Sequence, residues 1–579
     1  MINLTIDGKQ IQAEEGLTIL EAAMKNGIDI PTLCFLKEIN EVGDCRMCIV
    51  EVEGRRGFTT SCITKIEEGM IVHTNTKAVQ DARKTTLDLI LSNHHRDCLT
   101  CIRNGNCELQ KLAEKFNVRK VTYEGEMIDY EIDDKSPSIV RDSNKCVLCS
   151  RCTATCKNVQ NIGAIEKSNR GFSSCISTVG NCSLADSNCT FCGQCIESCP
   201  TGALHEKDNT EDVWNLLHDN DKYVIVQTAP AVRVAIGEEF GMPIGTNATG
   251  KMVTALKNMG FNNVFDTNTG ADLTIMEEAN EFLERVTNGG VLPMITSCSP
   301  GWVRFCEKNF PSQLDHLSSC KSPHTMFGAT LKSYYAQKIN VPREKIAVVS
   351  VMPCIAKKYE ITRPEMEVDG VRDVDCVITT RELARMIKES NIDFANLEDS
   401  KFDDPMGEAS GAGAIFGTTG GVMEAAVRTA VETLEGRSVE QVEYKEVRGE
   451  KGIKEATLTV AGKEIKIAVA SGLANARKLL EQIEKGESPY HFIEIMACPG
   501  GCIMGGGQPI KSAKTRMSVD VAGLRRSAIY SIDEASVVRK SHENPVMKML
   551  YDEFFEKPGS HVAHKYLHTT YSEKPLYED

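Results

Sequence analysis

The sequence lacks the features that direct a chain into a membrane or onto a nucleic acid. It contains no run of about 18 apolar residues, so we expect no transmembrane helix. Its 66 Lys and Arg residues are outnumbered by 81 Asp and Glu residues, and the net charge of −15 argues against a nucleic-acid partner. The opening MINLTIDGK has neither the basic nor the apolar region of a secretory signal. We therefore expect a cytoplasmic protein.

Nucleotide-binding motifs are missing as well. No GKS or GKT triplet follows a glycine-rich loop, and no GxGxxG segment opens a helix. The glycine-rich segment around residue 500 is therefore not expected to hold a phosphate. A reaction that needs a flavin or a dinucleotide would have to obtain it from another subunit.

Cysteine, in contrast, is abundant, with 24 among 579 residues. In a reducing compartment, cysteines at CxxC spacing indicate iron or zinc ligands rather than disulfides. A chain of this length exceeds what one hydrophobic core usually serves. We predict a multidomain α/β and α+β protein, with small cluster-binding modules first and a large α/β domain with parallel sheets after them.

Residues 1–78 open with an alternating hairpin and an amphipathic helix, a β-grasp pattern that resembles the plant-type ferredoxins. Two thiolates close together on a loop and two from outside it can hold a [2Fe-2S] cluster, and a zinc site is the alternative. The predicted ligands are Cys34, Cys45, Cys48 and Cys62.

Residues 79–118 form a second module, in which a helical stretch is followed by a histidine and three cysteines. Three cysteines leave one ligand of a [4Fe-4S] cluster missing, and an imidazole can supply it. His95 competes with His94, but the HxxxCxxCxxxxxC spacing, which resembles a module of complex I, favours His94. The predicted ligands are His94, Cys98, Cys101 and Cys107.

Residues 138–208 carry the runs CVLCSRCTATC and CTFCGQCIESCP, which resemble the two-cluster bacterial ferredoxins. In that pattern the fourth cysteine of each run ligates the cluster of the other run. One [4Fe-4S] cluster is therefore expected on Cys146, Cys149, Cys152 and Cys199, and another on Cys156, Cys189, Cys192 and Cys195. Structural roles are expected for Cys175 and Cys182, and Cys306 and Cys376, which belong to no motif, are expected to be buried thiols.

Residues 209–520 alternate between apolar strand-like runs and helical stretches. Three of the runs end on a cysteine, namely Cys298, Cys354 and Cys498. Ligand sites of open parallel sheets lie at the carboxyl ends of the strands, so we expect these cysteines to converge. Glycines around Cys498 and Cys502 would let the backbone approach a bulky inorganic group.

The segments TSCSPGW, MPCIAKKYE and EIMACPGGCIMGGGQP resemble the three signature motifs of the [FeFe]-hydrogenases. With the N-terminal modules, the resemblance covers nearly the whole chain, and residues 521–579 resemble the family's small-subunit-like tail. It implies reversible reduction of protons to H2 at an H-cluster, a [4Fe-4S] cubane joined to a di-iron unit with CO, cyanide and azadithiolate. Dedicated maturation enzymes would assemble the di-iron unit.

The same resemblance implies roles for individual residues. Cys354 and Cys498 would bind the cubane, and Cys502 would bridge it to the di-iron unit. Lys357 would donate a hydrogen bond to a cyanide, a placement that suits an ammonium group beside an anionic ligand. Met352 and Met496 would pack against the di-iron unit.

The first motif departs from the family, which usually has two adjacent cysteines where this chain has Cys298 and Ser299. By alignment Cys298 takes the place of the proton donor, and a cubane ligand is missing at Ser299. Cys320, where the family usually has alanine, is the favoured replacement. A serine alkoxide at Ser299 and ligation by Cys298 itself are the alternatives.

The family's proton relay maps onto Cys298, Glu278, Ser318 and Glu281, with Arg285 near its outer end. Glu278 and Glu281 are three residues apart and therefore share a helix face. Without the resemblance, such a pair would be interpreted as a solvated surface. The tail histidines, His542, His561, His564 and His568, form no closed ligand set and are expected to be solvated.

The pairing of TSCSPGW with CKSP resembles the catalytic subunits of NAD(P)-linked, electron-bifurcating hydrogenases. This resemblance implies a flavoprotein NAD(P)-binding subunit, a small [2Fe-2S] subunit and ferredoxin as partners. A stand-alone ferredoxin-dependent hydrogenase and a hydrogen sensor are the alternatives, and a pure electron carrier is disfavoured by Cys502, Lys357 and Met352.

Overall fold

The computed structural model describes residues 1–435, 443–444, 447–448, 452–460 and 463–578. Within them, no helix combines the length and the apolar character that crossing a membrane requires. All 24 cysteines are free thiols in the structure.

The N-terminal residues form a five-stranded sheet with one helix packed on it. Helix α1 (Ile19–Lys25) begins at Thr18, whose hydroxyl accepts a hydrogen bond from the Glu21 backbone while the Glu21 carboxylate accepts one from Thr18 N. The predicted hairpin and amphipathic helix are thus present. The sheet has the order β2-β1-β5-β3-β4 and contains β1 (Ile2–Ile6), β2 (Lys9–Ala13), β3 (Ile49–Val52), β4 (Phe58–Thr60) and β5 (Ile71–His73).

The next two predicted modules contain short elements that mainly support cysteine loops. Strands β6 and β9 pair antiparallel, as do β7 and β8. Their elements are α2 (Lys77–Ser92), α3 (Glu108–Lys115), β6 (Ile139–Arg141), α4 (Arg151–Ala154), β7 (Glu166–Ser168), β8 (Cys175–Ser177), α5 (Gln194–Ser198) and β9 (Leu204–Glu206).

Two four-stranded sheets organise the larger part of the chain that follows residue 208. The first, ordered β11-β10-β13-β16, is parallel throughout and contains β10 (Tyr223–Thr228), β11 (Asn263–Asp266), β13 (Ile346–Met352) and β16 (Cys376–Thr379). The second, ordered β12-β19-β18-β17, contains β12 (Met294–Ile295), β17 (Ile453–Val460), β18 (Lys463–Ser471) and β19 (Phe492–Met496). A separate hairpin joins β14 (Glu367–Val368) to β15 (Val371–Arg372).

Helices surround both sheets and bury their apolar faces against them. The longest, α8 (Thr267–Asn288), begins at Asp266, whose carboxylate caps Asn268 N, and ends at Gly289 with φ +76°. The others are α6 (Thr210–His218), α7 (Thr249–Asn258), α9 (Pro300–Asn309), α10 (Pro323–Thr330), α11 (Ala336–Lys338), α12 (Ala356–Glu360), α13 (Thr380–Glu389), α14 (Gly411–Ile415), α15 (Gly421–Glu435) and α16 (Leu473–Glu484).

The C-terminal segment is part of the core rather than a loose extension. Leu550, Phe555 and Leu567 are completely buried and join the hydrophobic cluster of the parallel sheet. The segment therefore places its side chains beside α8. Helix α17 (Ala513–Ser518) precedes the segment, whose own helices are α18 (Val521–Ala535), α19 (Pro545–Leu550) and α20 (His561–Leu567).

Candidate active site and cluster-binding loops

A cavity of about 70 Å³ lies where the carboxyl ends of strands from both sheets meet. Strand β10 leads to Ala229, β12 to Cys298, and β13 to Cys354, and all three residues line the cavity. Parallel sheets usually bind ligands at such strand ends. The distant cysteines Cys298, Cys354 and Cys498 converge there, as predicted. The predicted site residues on the wall are Cys298, Met352, Cys354, Lys357, Met496, Cys498 and Cys502.

The cysteines of this cavity are buried thiols that suit a metal cluster. Burial raises the pKa of Cys502 to about 12 and that of Cys498 well above its usual value. A thiol in such surroundings ionises only when a cation compensates its charge. Cys354, Cys498 and Cys502 around one cavity therefore supply a donor set that fits a cysteine-held iron–sulfur cubane.

Lys357 is the cation of the cavity wall, and buried partners orient it. Its Nζ donates to Ser322 Oγ and to Glu360 Oε2, each at 3.0 Å. Burial alone would raise the pKa of Glu360, but Lys357 and His324 hold it at about 2. Burial also lowers the pKa of His324 to about 4, and its Nε2 lies 2.6 Å from Glu360 Oε2. Glu360, a residue the sequence patterns did not identify, therefore fixes the ammonium group.

The structure separates the three candidates for the missing cubane ligand. Ser299 and Cys298 line the cavity, whereas Cys320 does not. The Cys320 sulfur instead lies within 4.8 Å of donor atoms of Glu281 and His568. An antiparallel bridge between Cys320 and His568 holds this segment toward the C-terminal segment. This placement counts against the prediction that Cys320 replaces the missing ligand.

Glu278 is a completely buried carboxyl group on α8. Its two oxygens make no hydrogen bond of good geometry among the described residues, although the Ser318 side chain lies beside them. Burial, reinforced by the neighbouring Glu281 carboxylate, raises the pKa of Glu278 to about 8. Burial raises the pKa of the Cys298 thiol, and the charge of Glu278 raises it further, so the two groups are close enough to interact. Glu278 thus holds a proton near neutral pH.

The outer part of the predicted relay is joined by hydrogen bonds. Ser318 Oγ donates to Glu281 Oε2 at 3.0 Å, and Arg285 Nη2 donates to Glu281 Oε1 at 2.6 Å. Ser318 is fixed beside β12 because its backbone N–H donates to Ile295 O. The structure therefore brings Glu278, Ser318, Glu281 and Arg285 together along one side of α8.

The C-terminal segment adds His568, which the sequence patterns did not identify, and it pairs with Glu277 of α8. The side chain of His568 is 7% exposed, and its Nε2 lies 3.1 Å from Glu277 Oε2. Its Nδ1 lies 2.8 Å from Ser319 Oγ, which donates to Glu281 Oε2. The prediction of solvated tail histidines is therefore wrong for His568. The only sequence feature that pointed to a further carboxylate here was Glu277, which is adjacent to Glu278.

The accessory cysteines also assemble as groups. Cys48 Sγ and Cys62 Sγ lie 3.2 Å apart in the N-terminal domain, and the Cys34 thiol contacts Cys45. A small cavity is lined by Cys146, Cys149, Cys152 and Cys199, the set that the crossed pattern predicts. Cys195 has the other predicted members as neighbours, namely Cys192, Cys189 and Cys156.

His94 has the properties of a neutral metal ligand. It is 7% exposed, and its Nδ1 has no hydrogen-bond partner among the described residues. Burial, with Lys145 nearby, lowers the pKa of His94 to about 4. An unprotonated, unpaired ring nitrogen is what a metal requires.

Direct contacts join the cysteine loops to one another. Asn40 Nδ2 donates to Cys34 O at 2.8 Å and to Cys149 O at 3.0 Å. Arg103 Nη1 donates to Cys199 O at 3.2 Å. The N-terminal ferredoxin loop and the histidine-containing module therefore both touch the group of Cys149 and Cys199.

The loop of Cys192 touches the cavity lined by Cys354, Cys498 and Cys502. Cys192 lines that cavity, and Cys498 Sγ lies 3.9 Å from Cys192 O. Gly193 and Gly506 pack so closely that a Cβ on Gly506 would lie 2.7 Å from Gly193 Cα. Glycine is required at both positions because no side chain fits between the two backbones.

Comparisons with protein families agree with this arrangement. Residues 222–506 match the model of the iron-only hydrogenase large subunit, C-terminal domain, and residues 519–574 match the iron hydrogenase small subunit. Residues 1–77 match a 2Fe-2S iron-sulfur cluster binding domain, and residues 186–205 a 4Fe-4S binding domain. Residues 83–122 match the NADH-ubiquinone oxidoreductase-G iron-sulfur binding region.

Two known relatives match over nearly the whole chain, and a solved structure matches over about two thirds of it. The NADP-reducing hydrogenase subunit HndD of Solidesulfovibrio fructosivorans is 50% identical, with 99% of each chain covered. Iron hydrogenase 1 of Clostridium pasteurianum is 46% identical over 99% of this chain and 100% of its own length. The solved structure of apo [FeFe]-hydrogenase HydA1 from Chlamydomonas reinhardtii covers 64% of this chain and 100% of its own, with 41% identity and a TM-score of 0.57.

The fold and the cysteine-lined cavity define an iron-only hydrogenase, an oxidoreductase that acts on hydrogen. The chain belongs to the [FeFe]-hydrogenase family. The matches support [2Fe-2S] and [4Fe-4S] clusters in its N-terminal part and the H-cluster of the family in its catalytic part.

The contact at Gly193 predicts a measurable effect of one methyl group. In Gly193→Ala the new Cβ would lie 2.5 Å from Ile355 Cγ1 and 3.1 Å from Gly506 Cα. We expect a loss of about 1–3 kcal/mol in stability from overpacking and slower electron delivery to the cavity. Thermal unfolding and single-turnover reduction kinetics measure these effects.

The matched control is Gly27→Ala, because Gly27 has nearly the same φ, +75° against +74°, but no atom within 4 Å of its Cβ position. Gly27→Ala places a side chain at a similar positive φ and so causes the same backbone strain, but it makes no steric contact. Equal stability losses and equal reduction rates in the two variants would show that the Gly193 contact is unimportant.

The pKa of Glu278 predicts a protonated carboxyl group at neutral pH. We expect an infrared carbonyl band that is present below about pH 8 and is lost as the pH rises through that value, because the folded pKa is raised. Glu278→Gln should abolish the band, whereas Glu284→Gln, an exposed position of the same helix, should keep it. A band that titrates near the ordinary glutamate pKa would contradict the assignment.

Proposed function

We propose that this chain reversibly reduces protons to H2 as the catalytic subunit of an NAD(P)H- and ferredoxin-linked electron-bifurcating complex. The observation that carries the proposal is the contact between the Cys192 loop and the cavity of Cys354, Cys498 and Cys502. It joins the cysteine groups of the N-terminal modules to a buried site with a candidate proton relay.

The proposed cofactors are one [2Fe-2S] cluster, three accessory [4Fe-4S] clusters and one H-cluster. The ligand sets are those predicted from spacing in residues 1–78, 79–118 and 138–208, and residues 209–520 and 521–579 are the catalytic domain and its C-terminal segment. Electrons from the [2Fe-2S] loop and from the His94 module meet at the Cys149 and Cys199 group, because both modules contact it. The Cys192 group then passes them to the cavity.

In the cavity, Cys354 and Cys498 would hold the cubane, and Cys502 would bridge it to the di-iron unit. When bound, the H-cluster supplies the metal chemistry that interconverts protons, electrons and H2. Met352 and Met496, which are almost completely buried, shape the wall beside it and exclude water. Lys357 presents an ammonium group whose direction is fixed by Ser322 and Glu360.

We propose Ser299 as the fourth cubane ligand. Of the three candidates, only Ser299 and Cys298 line the cavity among the described residues. Cys298 lies beside Glu278 and is needed as the first member of the relay. The Ser299 hydroxyl accepts a single 3.4 Å hydrogen bond, from Ala497 N, and is thus weakly held by the protein.

Protons would pass between solvent and the cavity through Arg285, Glu281, Ser318, Glu278 and Cys298. Glu278 is suited to the middle position because its pKa of about 8 lets it bind and release a proton near neutral pH. Arg285 holds the outer carboxylate of Glu281 in place. The presence of Cys298, Glu278 and Glu281 disfavours a hydrogen sensor, which has no need of rapid proton transfer.

The proposed partners follow from the relatives and from the absence of nucleotide motifs in the sequence. HndD, which is 50% identical, is a subunit of an NADP-reducing hydrogenase. A flavoprotein subunit would bind NAD(P)H, a small [2Fe-2S] subunit would connect it to this chain, and ferredoxin would exchange low-potential electrons. Such a complex, and the maturation enzymes that load it, would be cytoplasmic.

The test is H2 evolution by the chain purified without oxygen after co-expression with maturation enzymes. We expect the chain alone to evolve H2 from reduced viologen and to leave NAD(P)H unoxidised. After addition of the flavoprotein and small [2Fe-2S] subunits, H2 evolution should require NAD(P)H and reduced ferredoxin together.

Two outcomes would contradict the proposal. Equal rates from reduced ferredoxin with and without the other subunits would identify a stand-alone hydrogenase. Failure to turn over with viologen, in a preparation that contains the di-iron unit, would identify a sensor.

A further inference from the structure

Three side chains that ligate metals meet beside the outer part of the proton relay. A carboxylate oxygen of Glu281, the sulfur of Cys320 and a ring nitrogen of His568 all lie within 4.8 Å of one another. They come from α8, from the segment before α10 and from the end of α20. Cys320 is completely buried, so its thiol is directed into the protein interior.

The imidazole of His568 is oriented as a metal-binding histidine usually is. Its Nε2 lies 3.1 Å from Glu277 Oε2, and Glu277 is itself held by the Tyr551 hydroxyl at 2.5 Å and Gly559 N at 2.9 Å. Histidine ligands commonly donate their second N–H to a carboxylate in this way. The other nitrogen, Nδ1, then faces the Ser319 hydroxyl, 2.8 Å away.

The Ser319 hydroxyl bridges two of the donor atoms, the carboxylate oxygen of Glu281 and the Nδ1 nitrogen of His568. The hydroxyl donates to Glu281 Oε2 at 3.2 Å, so Nδ1 of His568 and this oxygen share one partner. Rotation of the Ser319 side chain would open the space between them. The donors of a tetrahedral zinc ion lie about 3.3–3.8 Å apart, so the three groups need to approach by about 1 Å.

The donor types and the local charge favour a particular class of cation. Thiolate, imidazole and carboxylate together suit Zn²⁺ and disfavour Mg²⁺ or Ca²⁺, which prefer oxygen ligands. The carboxylates of Glu281 and Glu277 both lie near the Cys320 thiol, and Arg285 forms an ion pair with Glu281. A divalent cation would therefore enter negatively charged surroundings.

We propose that Glu281, Cys320 and His568 form a binding site for one zinc-like divalent cation, which inhibits the enzyme. The inhibition rests on the proposed function, because the cation would occupy Glu281 and interrupt the proton relay. The binding itself does not depend on that function. Cys320 would give the site its sulfur ligand.

The experiment titrates the holoenzyme with Zn²⁺ and follows both binding and H2 evolution from reduced viologen. We expect one tightly bound Zn²⁺ with a sulfur neighbour at about 2.3 Å in its X-ray absorption spectrum. Saturation should lower the rate of H2 evolution at least tenfold. Cys320→Ala should weaken binding at least tenfold, and His568→Gln should do the same.

The matched control is Cys306→Ala, which removes a thiol that is equally buried but is not one of the three donors and belongs to the hydrophobic cluster of the second sheet. It should bind Zn²⁺ and be inhibited like the parent. Unchanged Zn²⁺ affinity in Cys320→Ala, or a zinc ion without a sulfur neighbour, would overturn the site. An altered infrared spectrum of the H-cluster in zinc-free Cys320→Ala would also overturn it, because Cys320 would then be a cluster ligand.

Zinc binding tests the proposed site, and inhibition tests the proposed relay role of Glu281. Zinc bound with sulfur but without loss of activity would support the site and contradict the relay role of Glu281. Loss of activity without a bound zinc at this position would contradict the site alone.

Discussion

The approach of Gly193 to Gly506 is the contact on which the rest of the molecule depends. It lets a loop of the ferredoxin-like part lie directly against the glycine-rich loop that carries Cys498 and Cys502. Gln194 reinforces it by donating to Met504 O at 3.1 Å. Electron transfer requires the two parts to be close, and side chains larger than hydrogen would hold them apart. The sheets, the helices and the C-terminal segment hold the catalytic loop in this position.

Burial determines the charge state of the groups around the cavity. The same desolvation that keeps Glu278 protonated near neutral pH also keeps His324 neutral. Glu360 is the exception, because Lys357 compensates its charge. The cavity thus combines one fixed ion pair with one proton-binding carboxyl group. In the proposed function, electrons and protons would reach it from different sides, through the Cys192 loop and along α8.

Much of this arrangement could be predicted from the sequence because cluster ligands follow local spacing rules. The crossed set of Cys146, Cys149, Cys152 and Cys199 lines one cavity in the structure, and the strand ends of Cys298, Cys354 and Cys498 converge. Both features depend on short-range patterns or on a general property of parallel sheets. The predicted hairpin of the first domain is a local pattern of the same kind.

The roles of Cys320, Glu277 and His568 could not be predicted, because they depend on how distant segments pack. Cys320 is paired with His568 by a bridge between segments about 250 residues apart, and its sulfur lies near Glu281 and His568 rather than on the cavity wall. His568 has no motif of its own, and it is buried only because α20 joins the main core. Such tertiary contacts leave no periodic signal in the sequence.

The most direct test of this account is the infrared spectrum of the anaerobically matured chain, in the region of iron-bound CO and cyanide. The account predicts these bands in the parent and in Cys306→Ala, and their loss in Cys502→Ala, because Cys502 is the proposed bridge to the di-iron unit. Bands that persist in Cys502→Ala, or that are absent from the matured parent, would contradict the assignment of the cavity as the H-cluster site.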